Sequence, residues 1–178
     1  ADLADPRFVH LQARRHIGEA RFITPWNVLA DAAPSSPSHF RYAELQDWLT
    51  TAQRQGLDPL ITLGPVKSSR GPWQPGPSVA QFTRAFRALV QHFPFIHQWA
   101  TWNEPDFGRG HISPETAAAY VAAATGVERS LGRHDTIVAG EFSRGSADAV
   151  GRHGFVTRFF AALRRLHVRP RVVSYHAY

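Results

Sequence analysis

The residues best suited to chemistry sit in one short stretch, Trp99-Ala100-Thr101-Trp102-Asn103-Glu104-Pro105. A carboxylate at the C-terminal end of a strand, preceded by an amide and followed by a proline, is well placed for acid–base work. Asn103 can hydrogen-bond a substrate hydroxyl. Glu104 can give and take a proton if apolar neighbours such as the tryptophans raise its pKa. A glutamate that only salt-bridges at a strand end reads the same way, and spacing alone does not separate the two. Glu141 and His176 close two later strand-like runs, and Arg21 opens an early one. Glu104, Glu141 and His176 together suggest a second chemistry, because carboxylates and imidazole can hold a divalent ion.

These residues need a framework. Five short β-branched or aromatic runs read as strands: Arg21–Trp26, Leu60–Gly64, Trp99–Asn103, Thr136–Gly140 and Val172–His176. Their starts are 39, 39, 37 and 36 residues apart, a near-constant period that calls for a repeated unit. Helical spacing fills the gaps. Asp5 and Pro6 begin a helix that Gly18 stops. Tyr42, Leu45, Leu49 and Ala52 mark a second, ended at Gly56. Ser78 caps a third carrying Phe82, Phe86, Leu89 and Phe93. Ser113-Pro114 opens a fourth, and Phe155, Phe159, Leu163 and Leu166 mark a fifth. Alternating helices and strands predict an α/β fold with a parallel sheet and right-handed crossovers. The strand-to-helix links are the long ones, and α/β proteins build their sites there. A doubly wound sheet and a (β/α)₈ barrel both fit this pattern.

Composition narrows the classes. The 178 residues are 43% hydrophobic and 19% charged, which is neither disordered nor highly solvated. Cysteine is absent, so disulfides, thiolate metal sites and a cysteine nucleophile are excluded. No apolar run reaches transmembrane length and no signal peptide opens the chain. The formal charge is +6, with Lys67 the one lysine among 20 basic residues. The 19 arginines are scattered rather than gathered on one stripe, and no phosphate loop or nucleic-acid motif is present. Neither nucleic acid nor membrane is an expected partner.

Trp102-Asn103-Glu104-Pro105 after an aromatic-rich strand resembles the fourth strand of the clan A glycoside hydrolases, (β/α)₈ enzymes such as cellulases, mannanases and β-xylosidases. Ala20-Arg21-Phe22-Ile23-Thr24-Pro25-Trp26 resembles their second strand, with its arginine near the nucleophile. Gly56 to Gly64 resembles the start of their third, and Ser174-Tyr175-His176-Ala177-Tyr178 their sixth, where Tyr or His lines the sugar site. The resemblance implies a partial (β/α)₈ TIM barrel over residues 1–178, strands two to six of eight, in a single incomplete catalytic domain. It implies hydrolysis of a β-linked saccharide by a retaining mechanism, with Glu104 as general acid/base and Asn103 on the sugar 2-hydroxyl. The nucleophile belongs to strand seven in the family, and no residue of this chain matches it. Glu141 is expected to be a subsite hydrogen-bonder or a structural carboxylate. No cofactor is implied.

The aromatic residues suit a carbohydrate partner, since sugar C–H faces pack on indole rings. Trp26 and Trp102 lie at strand ends, and Trp73 lies in a Gly/Pro-rich loop. Arg21 is either a barrel-interior ion pair or a substrate contact. Strand alternation lets one of Tyr175 and His176 face the site while the other packs. Asp106, Arg109 and His111 follow Glu104 and either touch an aglycone or solvate the loop. A repeat of this length puts a closed barrel at roughly 300 residues, so the chain reads as five-eighths of one. Two parallel edges, the Arg21 strand and the Val172 strand, are then open to self-association. A secreted location is compatible with this reading.

Overall fold

The computed structural model describes residues 3–66, 75–107, 112–143 and 154–176. Their element order is α1 (Pro6–Arg15), β1 (Glu19–Pro25), a 3₁₀ turn (Val28–Asp31), α2 (His39–Arg54), β2 (Asp58–Gly64), α3 (Val79–His92), β3 (Gln98–Ala100), α4 (Pro114–Ser130), β4 (Thr136–Ser143), α5 (Phe155–Arg165) and β5 (Val172–His176). The strands form one parallel sheet in the order β1-β2-β3-β4-β5. Each strand lies beside its predecessor in the chain, so the sheet grows in one direction as an arc with β1 and β5 at its edges. No described helix is long and apolar enough to cross a membrane.

The helix starts follow from local chemistry. Asp5 accepts the Arg7 N–H at 2.8 Å ahead of Pro6, whose missing N–H is harmless at this position. Ser78 and Gln81 form a reciprocal capping box on α3. Ser113 accepts the Thr116 N–H ahead of Pro114. One end differs from the sequence reading. α1 stops at Arg15, and His16, not Gly18, takes the left-handed cap at φ 52°. Gly56 does follow α2 with φ 67°.

One face of the sheet packs on the helices. Phe22 meets Trp48 of α2 at 5.2 Å between ring centroids. Phe82 stacks on Tyr120 at 4.2 Å, and Phe86 meets the Trp99 edge at 5.6 Å. Burying each such side chain stabilises the fold by about 1.5–3 kcal/mol, so this helix–sheet layer supplies the main cohesion. The other face carries the polar residues: Glu19, Asp58 and Gln98 near the strand starts, and Arg21 and Thr62 beyond them.

Two departures from regular strands shape that polar face. The third strand was expected to run to Asn103, but its ladder ends at Ala100. Regular alternation would turn Trp102 to the same face as Ala100. The chain leaves the ladder instead, and Trp102 packs on Tyr120 of α4 at 5.4 Å. The Asn103 N–H still reaches Leu63 O at 2.8 Å, so β2 guides the departing chain.

The second departure is a bulge in β4. Ala139 pairs with Val173 and Phe142 with Tyr175, so Gly140 and Glu141 together oppose Ser174. Without the extra residue, Glu141 would share the parity of Ala139 and point into the helix layer. With it, Glu141 joins the polar face while Phe142 stays in the core against Phe159. Gly140 has φ 95°, and a Cβ there would lie 2.4 Å from a Phe142 ring carbon. Glycine suits both demands.

Candidate active site

The polar face gathers residues from all five strands or the segments that leave them. Arg21 of β1 is at its centre. Its Nε donates to Thr62 Oγ1 at 2.9 Å. Its Nη2 donates to Asn103 Oδ1 at 2.6 Å and to Glu141 Oε2 at 2.9 Å. Thr62 donates to Glu141 Oε1 at 3.1 Å. Both oxygens of the buried Glu141 are therefore held, and the guanidinium plane is fixed by three strands. Burial pushes the Glu141 carboxyl above its usual range, with the Arg21 charge, the Thr62 bond and the nearby His176 opposing it. Because Asn103 turns its oxygen to Arg21, its NH₂ is the end left to donate elsewhere.

Beside this network lies a second pair. His176 Nδ1 of β5 is 2.8 Å from Glu104 Oε1, and the imidazole donates when the carboxylate is ionised. The Glu104 side chain is 20% exposed, so a bound molecule can reach it, while that of His176 is 10% exposed. The Glu104 N–H donates to Glu141 O at 3.2 Å, which couples the turn after β3 to the bulge in β4.

Backbone strain marks the same two positions. The non-glycine residues with positive φ among the described ones are His16, Glu104, Glu141 and His167. The two histidines follow helix ends, where a left-handed residue is ordinary. Glu104 at φ 43° and Glu141 at φ 45° have no such excuse, and strain of this kind gathers at functional sites.

Five of the residues singled out from sequence converge here: Arg21, Asn103, Glu104, Glu141 and His176. Others do not. Tyr175 was expected as a candidate for the sugar site. It lies on the helix-side face of the edge strand and is 57% exposed, because alternation gives the polar face to His176. Trp102 was expected to offer a ring to a sugar. It is 2% exposed in the core, so its ring face is taken by Tyr120. Trp26 was read as a site aromatic. Its N–H continues the ladder to Gly64 O, and the residue lines a groove with Asn27, Gln81 and Arg84 beside α3. Asp106 accepts the Ser143 N–H at 3.0 Å and is buried, which ties the loop after Glu104 to the end of β4. Trp73, Arg109 and His111 lie outside the described residues.

Sequence reasoning passed over Thr62 and Gly140. A polar Thr62 between Ile61 and Leu63 in an apolar run was one available signal, and glycine just before Glu141 was another. The divalent-ion arrangement does not form. Glu141 is turned to Arg21 and Thr62, and among the described residues no group of three or more His, Asp or Glu side chains could hold a metal ion.

Neither a family model nor a curated protein sequence matches this chain. Solved structures do. A GH39 enzyme from Xanthomonas axonopodis pv. citri is 14% identical over 100% of this chain and 38% of its own, with a TM-score of 0.70. A triple variant of an endo-beta-1,4-glucanase from the same organism is 15% identical over 95% of this chain and 54% of its own, with a TM-score of 0.63. The exo-beta-1,4-mannosidase Op5Man5 from Opitutaceae bacterium strain TAV5 is 18% identical over 76% of this chain and 27% of its own, with a TM-score of 0.53. All three are clan A glycosidases with TIM-barrel folds. The chain thus has the fold of part of such a barrel, and spans about a quarter to about half of the length of these proteins.

Proposed function

We propose that the chain is the acid/base-bearing part of a glycoside hydrolase that acts on a β-linked saccharide by a retaining mechanism. The observation that carries this reading is Glu104. It sits in a strained turn after β3, partly exposed, with His176 against its carboxyl group and Asn103 next to it. In the reaction Glu104 protonates the glycosidic oxygen as the bond to the anomeric carbon breaks. It then takes a proton from the water that releases the sugar. His176 holds the carboxyl in one plane and supplies a hydrogen bond to its ionised form. Asn103, oriented by Arg21, donates to a sugar hydroxyl beside the reacting carbon.

Retention needs a second carboxylate about 5–5.5 Å from the first. Glu141 is unsuited to that role, because Arg21 and Thr62 occupy both of its oxygens. It is the structural carboxylate that keeps Arg21 and Asn103 in place, and the nucleophile is assigned to a residue outside this chain.

The test is Glu104→Gln in the intact protein. Loss of a positioned acid lowers turnover by about 10²–10⁴-fold. That loss is expected with aryl β-glycosides whose leaving group is a poor one. With a strongly acidic phenol as leaving group, bond cleavage needs little protonation and the first step is expected to survive. Equal losses on both substrates, or no loss on either, would remove Glu104 from the acid role.

A further inference from the structure

Asp106 lies two residues after Glu104 and is only 7% exposed. An acidic side chain is buried that deeply when something holds its charge. Helix capping is not the reason, since α4 starts at Pro114 behind its own cap, Ser113. Asp106 instead holds the end of β4, where its Oδ1 accepts the Ser143 N–H at 3.0 Å.

The place of that bond in the sheet gives it meaning. In a parallel ladder a residue donates its N–H to one residue of the next strand, and its C=O accepts from the residue two further along. The Thr101 N–H reaches Val138 O at 3.4 Å, and the Glu104 N–H reaches Glu141 O at 3.2 Å, so the chain leaving β3 still follows β4. The regular acceptor for the Ser143 N–H would then be Glu104 O. That carbonyl is taken by the Phe107 N–H at 3.1 Å, which closes a turn with Pro105 and Asp106 at its centre. The Asp106 carboxylate stands in for the diverted carbonyl. The rung survives while the backbone turns away, and Glu104 is held at φ 43° between turn and rung. A left-handed glutamate persists only where its surroundings over-determine it. A charge-assisted bond to a buried N–H is a strong constraint of that kind.

We propose that Asp106 is a positioning residue for Glu104: its carboxylate replaces the Glu104 carbonyl on the Ser143 N–H and so fixes the turn that sets Glu104 against His176. The effect on catalysis rests on the glycosidase reading, whereas the effect on geometry does not.

The test compares Asp106→Asn, which keeps an acceptor oxygen, with Asp106→Ala, which removes it, in the intact protein. Asp106→Ser, whose hydroxyl is too short to span the gap, replaces Asp106→Ala if that variant shows no cooperative melt. Displacing a catalytic group by about 1 Å costs up to about 10²-fold, so Asp106→Ala is expected to lose about 10–10²-fold in kcat/KM on aryl β-glycosides with poor leaving groups. With a strongly acidic phenol, whose departure needs little protonation, the loss should stay below about threefold. Asp106→Asn should lie within about threefold of the parent on both substrates. A scaffold that is merely less folded would lose both substrates equally, and that result would overturn the proposal. Crystal structures of the variants give a readout independent of turnover. In Asp106→Ala the Glu104 carboxyl should leave His176, and in Asp106→Asn the contact should remain. An Asp106→Ala structure with the Glu104 turn and the His176 contact unchanged would also overturn the proposal. A parent that hydrolyses no aryl β-glycoside, with the turn displaced as expected in Asp106→Ala, would sink the glycosidase reading and support the positioning of Glu104.

Discussion

Arg21→Met offers a sharp test of the polar network, because its effect carries a pH signature. Arg21 holds Glu141 at 2.9 Å, with the Arg21 side chain 29% exposed and that of Glu141 only 1%. Removing one partner of a buried pair costs about 3–5 kcal/mol, and partial exposure of the arginine puts the expected loss at about 2–3 kcal/mol. The sign with pH follows from Glu141. Its folded pKa is already raised by burial, and the Arg21 charge is the strongest influence holding it down. A raised carboxyl contributes stability that is fully present below the unfolded value, near about 4.3, and lost as pH rises through the folded value. Without Arg21 the folded value climbs further, so the window of loss widens upward. Urea denaturation should therefore show the variant weaker than the parent by about 2–3 kcal/mol at pH 8 and by less than about 1 kcal/mol at pH 5. Arg21→Met/Glu141→Leu, which replaces both charges by apolar groups, should recover most of the loss at pH 8. An equal deficit at both pH values would refute the reasoning, as would a double variant weaker than the single one.

Two other predictions concern the sheet. Gly140→Ala places a Cβ 2.4 Å from the Phe142 ring at φ 95°. Positive φ and overpacking together cost about 2–5 kcal/mol, which lowers the melting midpoint by about 5–15 °C. Gly126→Ala, in α4 where a Cβ meets nothing, is the control and should raise stability by about 0.5–1 kcal/mol. Melting curves that rank the two variants the other way would remove the bulge from its assigned role. Residues 1–178 alone are expected to self-associate through β1 and β5, where Ile23, Val173 and Tyr175 are 49%, 44% and 57% exposed. Sedimentation should give a mass that rises with concentration, and a monomer at every concentration would contradict this.

What the sequence reading captured and what it missed divide by range. Asp5, Ser78 and Ser113 announce helix starts because a cap involves atoms two or three residues away. The five strands were legible because their period repeats, while their order followed from the resemblance to a barrel, since the pattern alone also fitted a doubly wound sheet. Arg21, Asn103, Glu104 and His176 were legible as site candidates because each stands at a strand end or within a strand of matching type. The fates of Trp102 and Glu141 were not. They depend on where a ladder stops and on an extra residue within β4, and both are settled by pairing partners 34 to 38 residues away, such as Val173 for Ala139 and Thr62 for Ala100. Thr62 escaped notice for a related reason: its meaning lies in Arg21 and Glu141, which only the closed arc brings to it.

The sequential strand order also has a temporal side. Each strand pairs with one made shortly before it, so the sheet can extend unit by unit as the chain leaves the ribosome. The Arg21–Glu141 contact, by contrast, joins residues 120 apart and has to wait for the fourth strand. The growing arc thus carries the Arg21 charge with only the neutral acceptors Thr62 and Asn103 until Glu141 arrives. Hydrophobic contacts such as Phe86 with Trp99 are then expected to form in the early, rate-setting part of folding. The ionic cross-brace is a late latch, and loosening it is expected to speed unfolding while leaving the folding rate nearly unchanged.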